Sequence, residues 1–84
     1  MSYTVEILRV AQKQLSRLDR QSQERLIAAI RSLAKNPRPE GCLKLTGRPA
    51  WRVRVGAYRV IYEIADGQLR VLVICVGDRK NVYR

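Results

Sequence analysis

Near the N-terminus apolar and polar residues alternate: Tyr3, Val5 and Ile7 against Ser2, Thr4 and Glu6, the period of a half-buried strand. The period then lengthens. Leu8, Ala11, Leu15 and Leu18 recur every three or four residues with Arg9, Gln12, Lys13, Ser16 and Arg17 between them, which predicts an amphipathic helix ending near Asp19. A second helix follows almost at once. Leu26, Ile27, Ile30, Leu33 and Ala34 form its apolar stripe, and Lys35 suits the negative end of its dipole. Pro37 stops it, because the residue before a proline disfavours helical torsions. The two make an αα-hairpin.

Residues 36–41, Asn-Pro-Arg-Pro-Glu-Gly, form a turn-rich connector, and beyond it the pattern is extended to the end of the chain. Trp51-Arg52-Val53-Arg54-Val55 alternates cleanly, Gly56-Ala57 suits a two-residue turn with glycine first, and residues 58–65 are rich in β-branched and aromatic side chains. That is a hairpin. Asp66-Gly67 is a further tight-turn signal, and residues 69–76 are nearly all apolar, as in a central strand covered on both faces. The expected fold class is α+β, in the order β-α-α-β-β-β: a two-helix hairpin packed on one face of a mainly antiparallel four-stranded sheet. With 84 residues there is room for one core, so residues 1–84 are read as a single domain.

Composition narrows the chemistry. Seventeen Lys and Arg against seven Asp and Glu leave a net charge of +10, which favours a polyanionic partner, while 46% apolar residues rules out a disordered basic tail. Histidine is absent, which removes the usual near-neutral base and every Ser-His or Cys-His pair. Cys42 and Cys75 lack the spacing of a structural zinc site and are read as reduced core residues, so no metal and no cofactor is expected. The start of the chain lacks a signal-peptide pattern, and the longest apolar run, residues 71–76, is far too short to span a bilayer. A cytoplasmic protein without membrane contact is the expectation.

Register sharpens the reading of the charge. If Gly56-Ala57 closes a two-residue hairpin, Val55 faces Tyr58 and Arg54 faces Arg59. Arg52 shares their face, while Trp51, Val53, Val55, Tyr58, Val60 and Tyr62 fill the other. Like charges directly opposite on a sheet are destabilising by about 0.2–1 kcal/mol, so this arrangement calls for an anion between the guanidiniums. A phosphate fits the arginine fork. A two-residue Asp66-Gly67 turn would place Arg70 opposite Glu63 as a cross-strand ion pair, and Ile61, Leu72 and Ile74 would share the arginine face. A one-residue change in either loop would reverse these parities.

Three ordered segments carry a resemblance: Lys44-Leu45-Thr46-Gly47, then Trp51-Arg52-Val53-Arg54-Val55-Gly56-Ala57-Tyr58-Arg59-Val60-Ile61-Tyr62, then Val76-Gly77-Asp78-Arg79-Lys80-Asn81-Val82-Tyr83. They resemble the RelE branch of the RelE/ParE toxin superfamily, over the whole chain. The resemblance implies an endoribonuclease toxin of a type II toxin–antitoxin system that cleaves mRNA in the ribosomal A site. Its implied partners are the ribosome, mRNA and an acidic RelB-like antitoxin, with which it would form a hetero-oligomer. Position by position, the resemblance makes Arg59, Arg79 and Tyr83 catalytic, Tyr83 as general base. Arg52 and Arg54 stand where the family commonly has lysine and would hold RNA phosphates, with Lys80 a further candidate.

Two other classes remain open. A ParE-like inhibitor of DNA gyrase would share the fold without nuclease activity, although Arg59, Arg79 and Tyr83 together argue against it. A non-catalytic RNA-binding module would use the arginines for affinity alone, but Trp51, Tyr58 and Tyr62 fall on the inward face, away from bases that might stack on them.

Overall fold

The computed structural model describes residues 2–78. Among the described residues the elements are β1 (Thr4–Ile7), α1 (Arg9–Ser16), α2 (Arg20–Ser32), β2 (Leu43–Lys44), β3 (Trp51–Val55), β4 (Tyr58–Ala65) and β5 (Arg70–Asp78), with a 3₁₀ turn at Asp66–Gln68. One sheet holds all five strands in the order β1-β5-β4-β3-β2. Only the β1–β5 pair is parallel. The α+β class and the paired helices are those predicted, with one strand more: β2 is two residues long, too short to show an alternation.

The helices form where side chains satisfy their ends. Asp19 caps α2, its carboxylate accepting from the Ser22 N–H at 3.1 Å, and hydrogen bonding from the Ser22 side chain and then its N–H holds the Asp19 carboxyl below its ordinary range. Gln23 joins the two helices by donating from Nε2 to the Leu15 and Leu18 carbonyls at 2.9 and 3.0 Å, so orphan carbonyls at the end of α1 are met from α2. The first helix is accordingly shorter than its periodicity suggests, and Arg17 and Leu18 belong to the turn. Ala11 and Leu15 from α1 and Leu26, Ile30 and Leu33 from the second helical segment are buried against Val60, Tyr62, Val71, Val73 and Val76 of the sheet. Ile27, predicted in the apolar stripe, is exposed.

Two irregularities set the sheet register. The β4–β5 connection is the 3₁₀ turn followed by Leu69 in the left-handed region (φ 51°), so the loop is longer than the two-residue turn expected from Asp66-Gly67. Arg70 therefore faces Ala65, not Glu63, and its ion pair is with Glu6 on β1. The second irregularity is a β-bulge between Ile61 and Tyr62 on the β4–β5 ladder. It inserts one residue, Ile74, so that Cys75 and not Ile74 stands opposite Ile61, and Val76 turns into the helix-facing core. Gly77 then falls opposite Arg59.

A polar clamp fastens the connector. Arg38 grips Asp66 with both guanidinium arms, at 3.2 and 2.9 Å, and lies 5.0 Å over the Trp51 ring, while the Tyr3 hydroxyl donates to the same carboxylate at 2.6 Å. Beneath them the fully buried Tyr62 hydroxyl donates to the Pro37 carbonyl at 2.8 Å. Burial pushes the Tyr62 phenol well above the ordinary tyrosine range, so it remains a donor at every physiological pH.

These contacts make two expectations. Tyr62→Phe removes the donor to Pro37 and is expected to lower unfolding free energy by about 1 kcal/mol, measured by urea denaturation. The hydrogen bonds from Arg38 and Tyr3 hold Asp66 down at about 2, below its ordinary 3.8. A depressed carboxyl contributes stability that is complete above its unfolded pKa and is lost as pH falls through the folded one. Thermal melts from pH 4 to pH 2 should therefore show a steeper loss in the native chain than in Asp66→Asn; parallel curves would exclude the clamp as a source of acid sensitivity.

Candidate functional site

The β3–β4 hairpin turns through Gly56 at φ +61°, a torsion that L side chains rarely adopt, and Ala57 follows without a positive φ. The two-residue turn sets the ladder predicted: Val55 faces Tyr58, Arg54 faces Arg59, Arg52 faces Ile61 and Trp51 faces Tyr62. Side chains of Trp51, Val53, Val55, Tyr58, Val60 and Tyr62 pack with the helices, leaving Arg52, Arg54 and Arg59 on the opposite face.

These three arginines differ in setting. Arg52 and Arg59 are each only 8% exposed, whereas Arg54 is open to solvent. Among the described residues Arg54 makes no ion pair. On the other side of Arg59 the bulge has brought Gly77, so its neighbour across β5 has no side chain to crowd the guanidinium.

The same face carries a small second core that the residue pattern does not reveal. Ala50 and Ile61 are buried together, with Leu45 and Cys75 packed against them, and the Leu45 N–H donates to the Ala50 carbonyl at 2.9 Å to close the loop between β2 and β3. Burial raises the Cys75 thiol above its ordinary value, partly opposed by Arg48. Cys75 is thus a packed thiol, and Cys42 is also free. The loop brings Lys44, Thr46 and Arg48 to Arg52, around a cavity of about 400 Å³ with Leu43 and Leu45 as its apolar walls. Arg48 was missed as a site residue because loop closure, not strand periodicity, places it there.

The face changes sign along the sheet. Beyond Ile61, Glu63 and Glu6 lie with Arg70 around a separate cavity of about 260 Å³. Positive and negative ends of one sheet face are thus separated by Ile61, with Leu72 between the two glutamates, and an anion is favoured at the β3–β4 end. Among the described residues no group of three His, Cys, Asp or Glu could hold a metal ion. The predicted Arg79, Lys80 and Tyr83 lie outside the described residues; the strand that leads to them ends at Asp78, opposite Tyr58 and one position beyond Gly77.

Comparison with known proteins agrees with this geometry. The family model described as the ParE toxin of the type II toxin–antitoxin system parDE matches residues 5–83. A protein of Escherichia coli named as a RelE-like toxin is 28% identical over 88 residues, covering 99% of this chain and 92% of its own length. Among solved structures, the archaeal RelE–RelB complex from Pyrococcus horikoshii aligns with a TM-score of 0.85 at 26% identity, over 96% of this chain and 99% of that one. The intact E. coli RelBE toxin–antitoxin complex aligns with a TM-score of 0.81 at 27% identity, over 94% and 99%. The family model carries the name of one branch, while the E. coli relative and these solved structures, matched over nearly the whole chain, carry that of the other. The chain belongs to the RelE/ParE superfamily of type II toxin–antitoxin toxins, in its RelE branch.

Proposed function

We propose that this toxin is an endoribonuclease that cuts mRNA in the ribosomal A site, with the arginine face of the β3–β4 hairpin as its phosphate-binding surface. The observation that carries the reading is Arg54 set directly opposite Arg59 with Arg52 on the same face, a convergence of guanidiniums whose planar forks match phosphate oxygens. Arg48, beside Arg52 at the same cavity, enlarges the positive region. Arg52, Arg54 and Arg48 hold phosphates flanking the cut, and Arg59 stabilises the charge that develops on the phosphorane.

The reaction needs little more than positioning and a base. The RNA 2′-oxygen attacks the adjacent phosphorus, its proton passes to a base, and the bond to the 5′-oxygen breaks, leaving a 2′,3′-cyclic phosphate and a 5′-hydroxyl. Tyr83 is the proposed base. A phenol with an ordinary pKa near 10 is about 0.1% ionised at pH 7, and neighbouring guanidiniums would raise that fraction. Arg79 would add to the stabilising charge, with Lys80 a further phosphate contact. Arginine, with a pKa above about 12, is a poor proton donor, so the 5′-oxygen takes its proton from another group.

An acidic RelB-like antitoxin is the proposed protein partner, forming a hetero-oligomer. Support comes from the RelE–RelB and RelBE complexes, whose toxins share this fold, and from the net charge of +10, which favours a polyanion or an acidic chain. The family model named for ParE keeps gyrase inhibition as the second reading, and a supercoiling assay run beside the cleavage assay separates the two.

In purified, folded protein, Arg59→Ala and Tyr83→Phe should each reduce cleavage of mRNA on programmed ribosomes by at least about a hundredfold. Full activity in both would overturn the assignment. Arg54→Glu should raise unfolding free energy by about 0.2–1 kcal/mol at low salt, a gain that shrinks at high salt, while weakening cleavage. Stability falling instead would mean that the two arginines do not repel.

A further inference from the structure

The hairpin has a second face. Tyr58 opens β4 beside the turn and lies on the helix side of the sheet, back to back with Arg59. It is half-buried, packed against the core by part of its surface, and two open cavities meet at it. One, of about 330 Å³, is lined by Gln14 of α1, by Arg17 and Leu18 of the turn after it and by the last residues of β5. The other, of about 280 Å³, is lined by Ser22 and Arg25 of α2 and by the hairpin turn. Arg25 reaches over that turn, its Nη1 lying 3.8 Å from where a Cβ on Gly56 would sit.

Both flanking arginines are exposed, and neither makes an ion pair among the described residues. The nearby helix carboxylates are already engaged, Asp19 in capping α2 and Glu24 with Arg20. Asp78 is the carboxylate that lines the first cavity. Gln14 reaches into the same region, its Oε1 accepting from the Val76 N–H at 2.6 Å, which ties the helix end to the strand and keeps the groove between them in shape.

We propose that Tyr58 with Arg17 and Arg25 forms a second single-stranded RNA contact, in which the phenol ring stacks on a base and the two guanidiniums hold phosphates on either side. An aromatic side chain set between two arginines is the composition of a strand-binding groove. An acidic polypeptide would use the arginines but has no need of the ring. The inference rests on the proposed function only in taking RNA as the polyanion; it does not require cleavage.

The test is fluorescence anisotropy with a labelled single-stranded 2′-O-methyl RNA, which cannot be cut by 2′-hydroxyl attack. Arg17→Gln with Arg25→Gln should weaken binding at least about tenfold at low salt. It should also make the dependence of log Kd on log salt shallower by about 1.4, since each neutralised phosphate on a single strand contributes about 0.7. Lysine at both positions should restore most of the affinity, and Tyr58→Leu should weaken binding by at least about fivefold. Unchanged affinity and salt slope in the folded double variant would overturn the proposal; if Tyr58→Leu does not fold by circular dichroism, the arginine variants decide. Polyglutamate competing as well against the Tyr58→Leu variant as against the native chain would also overturn it, assigning the groove to an acidic protein. Loss of ribosomal cleavage with Tyr58-dependent binding intact would sink the nuclease reading and leave this one standing.

Discussion

Alternation on a strand ties every side chain to one of two faces, and a two-residue turn leaves no slack in which that alternation can slip. At Gly56-Ala57 this constraint forces a choice with consequences for the whole molecule. Val53, Val55, Tyr58, Val60 and Tyr62 are committed to the helices, so Arg52, Arg54 and Arg59 are committed together to the far side. Hydrophobic burial thus drives the convergence of charge: about 1.5–3 kcal/mol for each large apolar side chain buried outweighs the few tenths to 1 kcal/mol by which facing arginines repel. An arrangement that local electrostatics disfavours is held by the core behind it.

The rest of the fold frames that arrangement. The bulge on β4–β5 turns Val76 inward and sets Gly77 opposite Arg59, so one inserted residue both completes the core and fixes the neighbour of an arginine on the far face. The loop before β3 packs Leu45 against Ala50 and Ile61 and brings Arg48 beside Arg52. Far from this face, the Arg38–Asp66–Tyr3 clamp and the Tyr62 bond to Pro37 fasten the connector that leads from the helices to the sheet.

The charge of +10 is accordingly not one feature but several. Arg38, Arg70 and Arg20 are paired with carboxylates. Arg54 on one side of the hairpin and Arg17 and Arg25 on the other are left without such partners among the described residues. The hairpin end therefore carries positive charge on both faces, which suits a strand that passes around it and is the physical basis of the two RNA surfaces proposed.

The amino-acid sequence by itself determined the order of every element but β2, the paired helices, the β3–β4 register and the shared face of Arg52, Arg54 and Arg59. Each of these follows from local periodicity or from a turn whose length is legible in two residues. Tertiary structure decided what depends on contacts distant in the chain. Arg70 meets Glu6 instead of Glu63 because the turn at Asp66 is extended through a left-handed Leu69, and Cys75 replaces Ile74 beside Ile61 because a bulge shifts the ladder by one. A two-residue strand has no period to read, so β2, and with it the placement of Arg48, emerges only when the loop closes on Ala50 and Ile61. Periodicity reports which face a residue occupies within its own element; which residue comes to stand beside it is set by packing between elements.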